Sequence, residues 1–443
     1  MSSIFPSINN SSSAINILRV SNLNVSINMS LFNANLSSRV NTQYNLTSIV
    51  SSLQALGLAK TEIFYEQQAG PIFGNNWPGI GTEQSQGESV AISSDGNTVA
   101  LGCYGSLFGS DTGAVYIFVR LTSGTWIQQA GPLLGTGAVN ARQSTVAISA
   151  TGNTLAIGGP DGGLGQIWIF QRTGTSWAQQ AGPLVGSGSA SFSQGNSLSM
   201  SGDGNTVAVG SSGTIWMWFR TGTSWAQQGG PFLSTGRQSI AISQDGYTVM
   251  TGNPLLNGNI GAVWIFTKSG VTWSLEAGPL TCTLCTGPAV KFGESCSLSA
   301  NGNTAIIGGI ENNDGVGAAW IFTRTGTSWA QTAGPLVGTG YEMVKPRIGS
   351  SVSITLDGNT VLIGGDGGFV FDLGGETSGQ SWIFKRNGLV WEQKGTRLIG
   401  TSVTGAMSQG YSVSMSADAS TFVVGGPSYN GYNGAMWIFK INS

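Results

Sequence analysis

Ser89-Val-Ala-Ile-Ser-Ser-Asp-Gly-Asn-Thr-Val-Ala-Leu-Gly102 is two short runs of β-branched and small residues around an Asp-Gly-Asn turn, the pattern of a β-hairpin. Its second run recurs at Thr154-Leu-Ala-Ile-Gly158, Thr206-Val-Ala-Val-Gly210, Thr248-Val-Met-Thr-Gly252, Thr304-Ala-Ile-Ile-Gly308, Thr360-Val-Leu-Ile-Gly364 and Thr421-Phe-Val-Val-Gly425. From Thr98 to Thr421 is 323 residues over six intervals, a period of about 54. A fixed period of that size marks a repeat architecture.

Each copy adds a third run, from Gly113-Ala-Val-Tyr-Ile-Phe118 to Gly434-Ala-Met-Trp-Ile-Phe439, and a fourth typified by Trp177-Ala-Gln-Gln-Ala-Gly-Pro-Leu184. The four runs read as strands a, b, c and d, and no segment carries a long 3.6-residue period. Four antiparallel strands repeated seven times predict an all-β fold, a seven-bladed β-propeller over residues 61–443. The last copy stops after strand c, at Ile441-Asn442-Ser443, while Tyr65-Glu-Gln-Gln-Ala-Gly-Pro-Ile72 matches strand d. An N-terminal strand is therefore expected to complete the seventh blade and close the ring.

One aromatic falls on strand c of each copy (Tyr116, Trp168, Trp216, Trp264, Trp320, Trp382, Trp437) and one on strand d (Tyr65, Trp126, Trp177, Trp225, Trp273, Trp329, Trp391). A bulky ring recurring once per blade is expected to pack between sheets rather than to bind a ligand. Trp218 shares the register of Phe170 and Phe266 and is expected in the core, whereas Trp77 stands outside the pattern. Arg120, Arg172, Arg220, Lys268, Arg324 and Arg386 follow strand c and read as solvated turn residues.

Composition excludes much chemistry. His is absent, so there is no imidazole base, no Ser-His or Cys-His pair and no His-ligated metal. The 18 Lys and Arg against 20 Asp and Glu lack the positive surplus that attracts phosphate backbones, and nucleic acid is not expected as a partner. The longest apolar runs are far below the ~20 residues of a membrane span, so no membrane insertion is expected. Met1 to Asn10 shows neither the basic nor the apolar region of a secretory signal. Cys282-Thr-Leu-Cys285 lacks the second pair of a zinc ribbon and reads as structural or as a local disulfide. Neither a metal nor a cofactor is expected.

In such a blade the a–b and c–d turns share one face, and the b–c and d–a loops the other. The b–c loops, counted between glycines, run 10, 6, 2, 8, 8, 14 and 8 residues through the seven copies, so this uneven face is the expected binding surface. The sixth loop offers Phe369 and Phe371 among Asp366, Asp372 and Glu376; the seventh offers Tyr429 and Tyr432, and the first Tyr104, Phe108 and Asp111. With the outlier Trp77, these aromatics and acceptors suit sugar stacking or a protein hot spot.

Phe292-Gly-Glu-Ser295, Asn301-Gly-Asn303, Ile307-Gly-Gly309 and Ala319-Trp-Ile-Phe322 resemble the FG-GAP repeat of integrin-α-type seven-bladed propellers, and Ile157-Gly-Gly-Pro160 and Val424-Gly-Gly-Pro427 are similar to its GAP element. The resemblance covers residues 62–443 and implies this fold and a role in adhesion or protein contact. The calcium loops of that family are not carried over, because the hairpins here hold one acid or none and Ca²⁺ takes six to eight oxygens. Gly204-Asn-Thr-Val-Ala-Val-Gly-Ser211 also resembles a WD40 repeat, less closely, since the Gly-His element and the Trp-Asp pair are missing.

Residues 1–60 form a different segment, with 14 Ser and 10 Asn. Alternation at Leu23, Val25, Ile27, Met29 and Leu31 predicts one strand, and the spacing of Leu46, Ile49, Val50, Leu53 and Leu56 up to Gly57 one short helix. So little core favours docking on another subunit, and the segment is expected to anchor or oligomerise the chain. Six Asn-x-Ser/Thr sequons lie in it, and the propeller holds none. The resulting expectation is a non-enzymatic structural or interaction protein at a virion or cell surface, presenting loops to a protein or glycan partner, with a lectin-like propeller as the alternative. A glycosidase working through carboxylates alone would need two acids across one pocket, and no spacing shows that pair.

Overall fold

The computed structural model describes residues 64–442 apart from 77–83, 106–112, 138–141, 161–162, 189–192, 212, 234–238, 342–344, 369–378 and 402–407. The chain divides into two units, Met1–Glu62 and Ile63–Ser443. The strand and helix expected within residues 1–60 lie outside the described residues.

Seven four-stranded antiparallel sheets form the ring, each ordered a-b-c-d. Blade one runs through Gln86–Ile92, Thr98–Cys103, Ala114–Arg120 and Trp126–Leu133. Blade seven joins Ser412–Met415, Thr421–Gly426 and Ala435–Asn442 to Phe64–Ile72 from the other end of the described chain. There Tyr65 pairs with Ile441, Gln67 with Phe439 and Ile72 with Met436. The register slips between Gln67 and Ala69 and again before Ile72, as it does opposite Ile169 in blade two, so the imported strand repeats the geometry of a contiguous one.

The core lies between blades. Trp168, Trp216, Trp320, Trp382 and Trp437 are wholly buried, Tyr116 likewise, and Trp218 is 7% exposed. A glycine lies flat against each of several of these rings. A Cβ on Gly135 would fall 2.2 Å from the indole of Trp168 in the next blade, and Gly74, Gly186, Gly338 and Gly400 stand equally close to their own neighbours' rings. The residue after that glycine holds the indole: Trp168 Nε1 donates to the Thr136 carbonyl at 3.0 Å, and Trp437 Nε1 to that of Thr401 at 3.1 Å. A strand-d glutamine completes the latch, Gln179 Oε1 accepting from Thr136 N at 2.7 Å. Gln67 accepts from Thr401 N in the same way, also at 2.7 Å, which seals the ring across 334 residues.

Four of the six cations after strand c correct their reading as solvated turn residues, whereas Arg386 bonds its own turn, Nε to Gly388 O at 3.0 Å. Arg172 is half-buried over Trp177, 5.6 Å from the ring centre. Its Nε donates to Asn153 Oδ1 at 2.8 Å and its Nη1 to Thr98 Oγ1 of the previous blade at 3.2 Å. Arg120, Arg220 and Arg324 repeat the bond from Nε to an a–b hairpin asparagine, at 2.7–2.9 Å. Asn and Arg each recur with the period, and the packing of hairpin against strand end brings them together.

The same hairpins close the lower end of the central channel. Their backbones hydrogen-bond from blade to blade, Ser94 N to Ala150 O, Ala150 N to Gly202 O, Gly202 N to Gln244 O, Ala300 N to Leu356 O and Ala417 N to Ser94 O, at 2.8–3.0 Å. Gln244 of blade four reaches Ser94 of blade one at 3.2 Å. Those blades are not neighbours, so the side chain crosses the channel. Above it, Ile92, Ile148, Met200, Ile242, Leu298, Ile354 and Met415 form an apolar collar around a space of about 200 Å³ shared with the hairpins.

Candidate functional site at the channel mouth

A floor at one end leaves a cavity at the other. It holds about 720 Å³ and opens among the b–c and d–a loops, within the range of ~300–1,000 Å³ usual for small-molecule sites. Its wall begins with the first residue of the hydrophobic run in every strand a, a hydroxyl in all seven blades: Ser89, Thr145, Ser197, Ser239, Ser295, Ser351 and Ser412. Several of these hydroxyls stitch adjacent inner strands together. Ser89 Oγ accepts from Val146 N at 3.2 Å, and Ser351 Oγ from Val413 N at 3.0 Å.

One position earlier, three blades place chemistry. Glu88 and Glu294 stand there in blades one and five and Tyr411 in blade seven, all lining the cavity. Tyr411 Oη donates to Glu88 Oε1 at 3.0 Å. A third carboxylate comes from the end of strand b in blade six. Asp366 occupies the register that Pro160, Pro254 and Pro427 fill elsewhere, is 6% exposed, and faces Arg347 Nη1 at 3.4 Å. Burial pushes its carboxyl above the ordinary carboxylate range, aided by Glu294 and opposed by Arg347 and the Gly368 N–H. Cys296 also lines the cavity, and burial pushes its thiol up to about 12, which removes the thiolate near neutrality.

Of the residues picked from the sequence, Asp366, Tyr104 and Tyr432 meet at this cavity, although they come from three different loops. Arg142 lies over the Tyr104 ring at 4.8 Å. Tyr429 does not join them. It is 8% exposed and packs edge-on against Trp437 at 5.5 Å, because its tight turn folds the ring back onto the blade. Trp77, Phe108, Asp111, Phe369, Phe371, Asp372 and Glu376 lie outside the described residues. Loop length does not point to Glu88, Glu294 and Tyr411, which stand at the inner strands and not in the b–c loops. Their signal was Gly-Glu-Ser at Gly87–Ser89 and Gly293–Ser295, two acids at one register in a chain that is 9% charged.

The hairpin acids have a different job. Asp95 Oδ1 accepts from Ser93 Oγ at 2.5 Å and Asn97 N at 3.0 Å, and Oδ2 from Asn97 Nδ2 at 3.0 Å. The carboxylate is occupied in holding its own turn. Cys282 and Cys285 are joined as a disulfide. Among the described residues no helix is long and apolar enough to cross a membrane.

No protein-family model and no curated protein matches the chain. The FG-GAP resemblance therefore rests on its own residues. Solved structures do match, in large number. One is the "putative 6-phosphogluconolactonase" of Bacteroides uniformis, 15% identical, with a TM-score of 0.50 over 71% of this chain and 85% of that one. At that identity the likeness concerns the fold alone. It corrects the expectation of a non-enzymatic protein, since a propeller of similar shape bears an enzyme's name and the fold gives no ground for excluding catalysis.

Proposed function

We propose that this propeller binds a carbohydrate in the mouth of its central channel. The observation that carries the reading is a cavity of about 720 Å³ at the channel mouth, lined in every blade by a strand-head hydroxyl. Tyr104, Tyr411 and Tyr432 add rings suited to the apolar faces of a sugar, and Glu88, Glu294 and Asp366 add acceptors for its hydroxyls. A concave site of this kind suits a small polar molecule better than a protein surface. A phosphorylated sugar acid, the ligand class in the neighbour's name, would meet three carboxylates and one guanidinium already engaged by Asp366.

A glycan array probed with the full chain tests this. Binding should fall in Tyr432→Ala and in Glu294→Gln and persist in Gln244→Ala on the channel floor. An array without hits, or binding indifferent to both mouth variants, would overturn it.

A second reading has its own support, because Asp366 and Glu294 both line the cavity. In glycoside hydrolysis, Asp366 with its raised pKa would give a proton to the leaving oxygen while Glu294 takes one from the attacking water. The C–O bond breaks, water's oxygen joins the anomeric carbon, and a reducing end is released. Release of reducing ends from a bound glycan, lost in both Asp366→Asn and Glu294→Gln, tests it; a bound glycan that stays intact refutes it.

A further inference from the structure

The hydrogen-bond polarity of the cavity wall narrows the ligand. A hydroxyl has one proton to give and two lone pairs to offer. Four of the seven strand-head hydroxyls spend that proton on the next blade: Ser239 Oγ donates to Gly293 O at 2.9 Å, Ser295 Oγ to Gly349 O at 2.7 Å, Ser412 Oγ to Gly87 O at 2.8 Å, and Thr145 Oγ1 to Gly195 O. Carbonyl oxygens cannot donate, so the direction of each bond is fixed. Ser350, also in the wall, gives its proton to Gly410 O at 3.1 Å. Tyr411 gives its own to Glu88, and Arg347 donates to Asp366. What these hydroxyls have left for a ligand is lone pairs, while Arg347 keeps a buried Nε–H beyond the Nη1 that faces Asp366.

Charge points the same way. The wall holds three carboxylates, Glu88, Glu294 and Asp366, against the single guanidinium of Arg347. The Glu294 carboxylate is half-buried, and among the described residues no hydrogen bond or ion pair holds it. Of the other cations on this face, Lys291 pairs with Glu311 at 3.6 Å, Arg142 lies on Tyr104, and Lys345 lies along Gly315.

We propose that the ligand of this mouth is an amino sugar, its hydroxyls donating to the ring of strand-head oxygens and its ammonium seated against Glu294 among the other carboxylates. This rests on the carbohydrate reading and adds the positive charge. An ammonium brings three donors and no acceptor, the complement of such a wall. The tyrosine rings add a face that attracts cations.

Calorimetric titration of the full chain with a glucosamine oligomer, its N-acetylated counterpart and a neutral glucose oligomer of equal length tests the proposal. The free amine should bind about ten-fold tighter or better, the order expected for one hydrogen bond to a charged group. Glu294→Gln should erase that preference, weakening the free amine about ten-fold more than it weakens the neutral oligomer. Equal affinity for the amine and its N-acetyl form overturns the amino-sugar proposal and leaves the carbohydrate reading standing. Failure of all three sugars overturns both. A lysine-rich peptide or spermidine binding as tightly as the glucosamine oligomer also overturns the proposal, because the hydroxyl ring would then contribute no recognition.

Discussion

Replacing Gly135 by Ala probes how one blade is fastened to the next. The added Cβ would lie 2.2–2.3 Å from three atoms of the Trp168 ring, where contacts under 3.0 Å force a shift. The indole cannot yield easily, being wholly buried in a cluster with Val115, Ile117, Leu155 and Ile157. Gly135 is not among the positive-φ glycines, so the cost is contact rather than backbone strain. Overpacking a core costs about 1–3 kcal/mol. Losing the bond from Trp168 Nε1 to the Thr136 carbonyl, which sits next to the new methyl, adds about 1 kcal/mol. The expected total is about 2–4 kcal/mol. Gly174→Ala is the control: φ is +61° and nothing lies within 4 Å of its Cβ, so only the left-handed backbone opposes it, at about 1 kcal/mol. Denaturant unfolding followed by tryptophan fluorescence reads both. If Gly135→Ala is no less stable than Gly174→Ala, the latch between blades is not what the packing indicates.

Three other outcomes follow from the same structure. In Asp95, Asp203, Asp357 and Asp418, burial raises the carboxyl pKa, but hydrogen bonds from the turn outweigh it and the net shift is downward. A carboxyl lowered in the folded state contributes stability that is full above its unfolded value near 3.8 and is lost as pH falls through the folded value. Stability should therefore drop on acidification below about pH 4, and the four Asp→Asn changes together should flatten that limb in pH-dependent unfolding; an unchanged limb contradicts the assignment. A chain starting at Gly74 loses strand d of blade seven and bares the edge of Ala435–Asn442, so it should aggregate or unfold earlier on heating than the full chain; equal melting refutes the closure. Residues 1–60 are proposed to oligomerise the protein, so light scattering should give a larger assembly for the full chain than for one lacking them, and equal monomeric masses remove the proposal.

The ring was legible because its evidence is linear. Tyr65–Ile72 spells strand d at the wrong end of the chain, and only closure gives it a partner. The buried tryptophans were legible from period alone. Pairings that depend on two repeats meeting were not: Arg172 with Thr98, or Gln67 with Thr401, joins residues in different copies, and composition assigns such side chains to solvent. The site was half visible. Loop length picked out Asp366, Tyr104 and Tyr432, but Glu88, Glu294 and Tyr411 enter from the heads of inner strands, where only the ring's curvature turns seven separate positions into one wall. Tyr429 shows the reverse error, a loop aromatic whose tight turn puts it in the core.

The most direct test of the account is a crystal of the full protein grown or soaked with a sugar that binds it. Density is expected in the channel mouth, against the strand-head hydroxyls and within hydrogen-bond reach of Glu294 or Asp366. Density confined to the outer strands or to the hairpin face would contradict it.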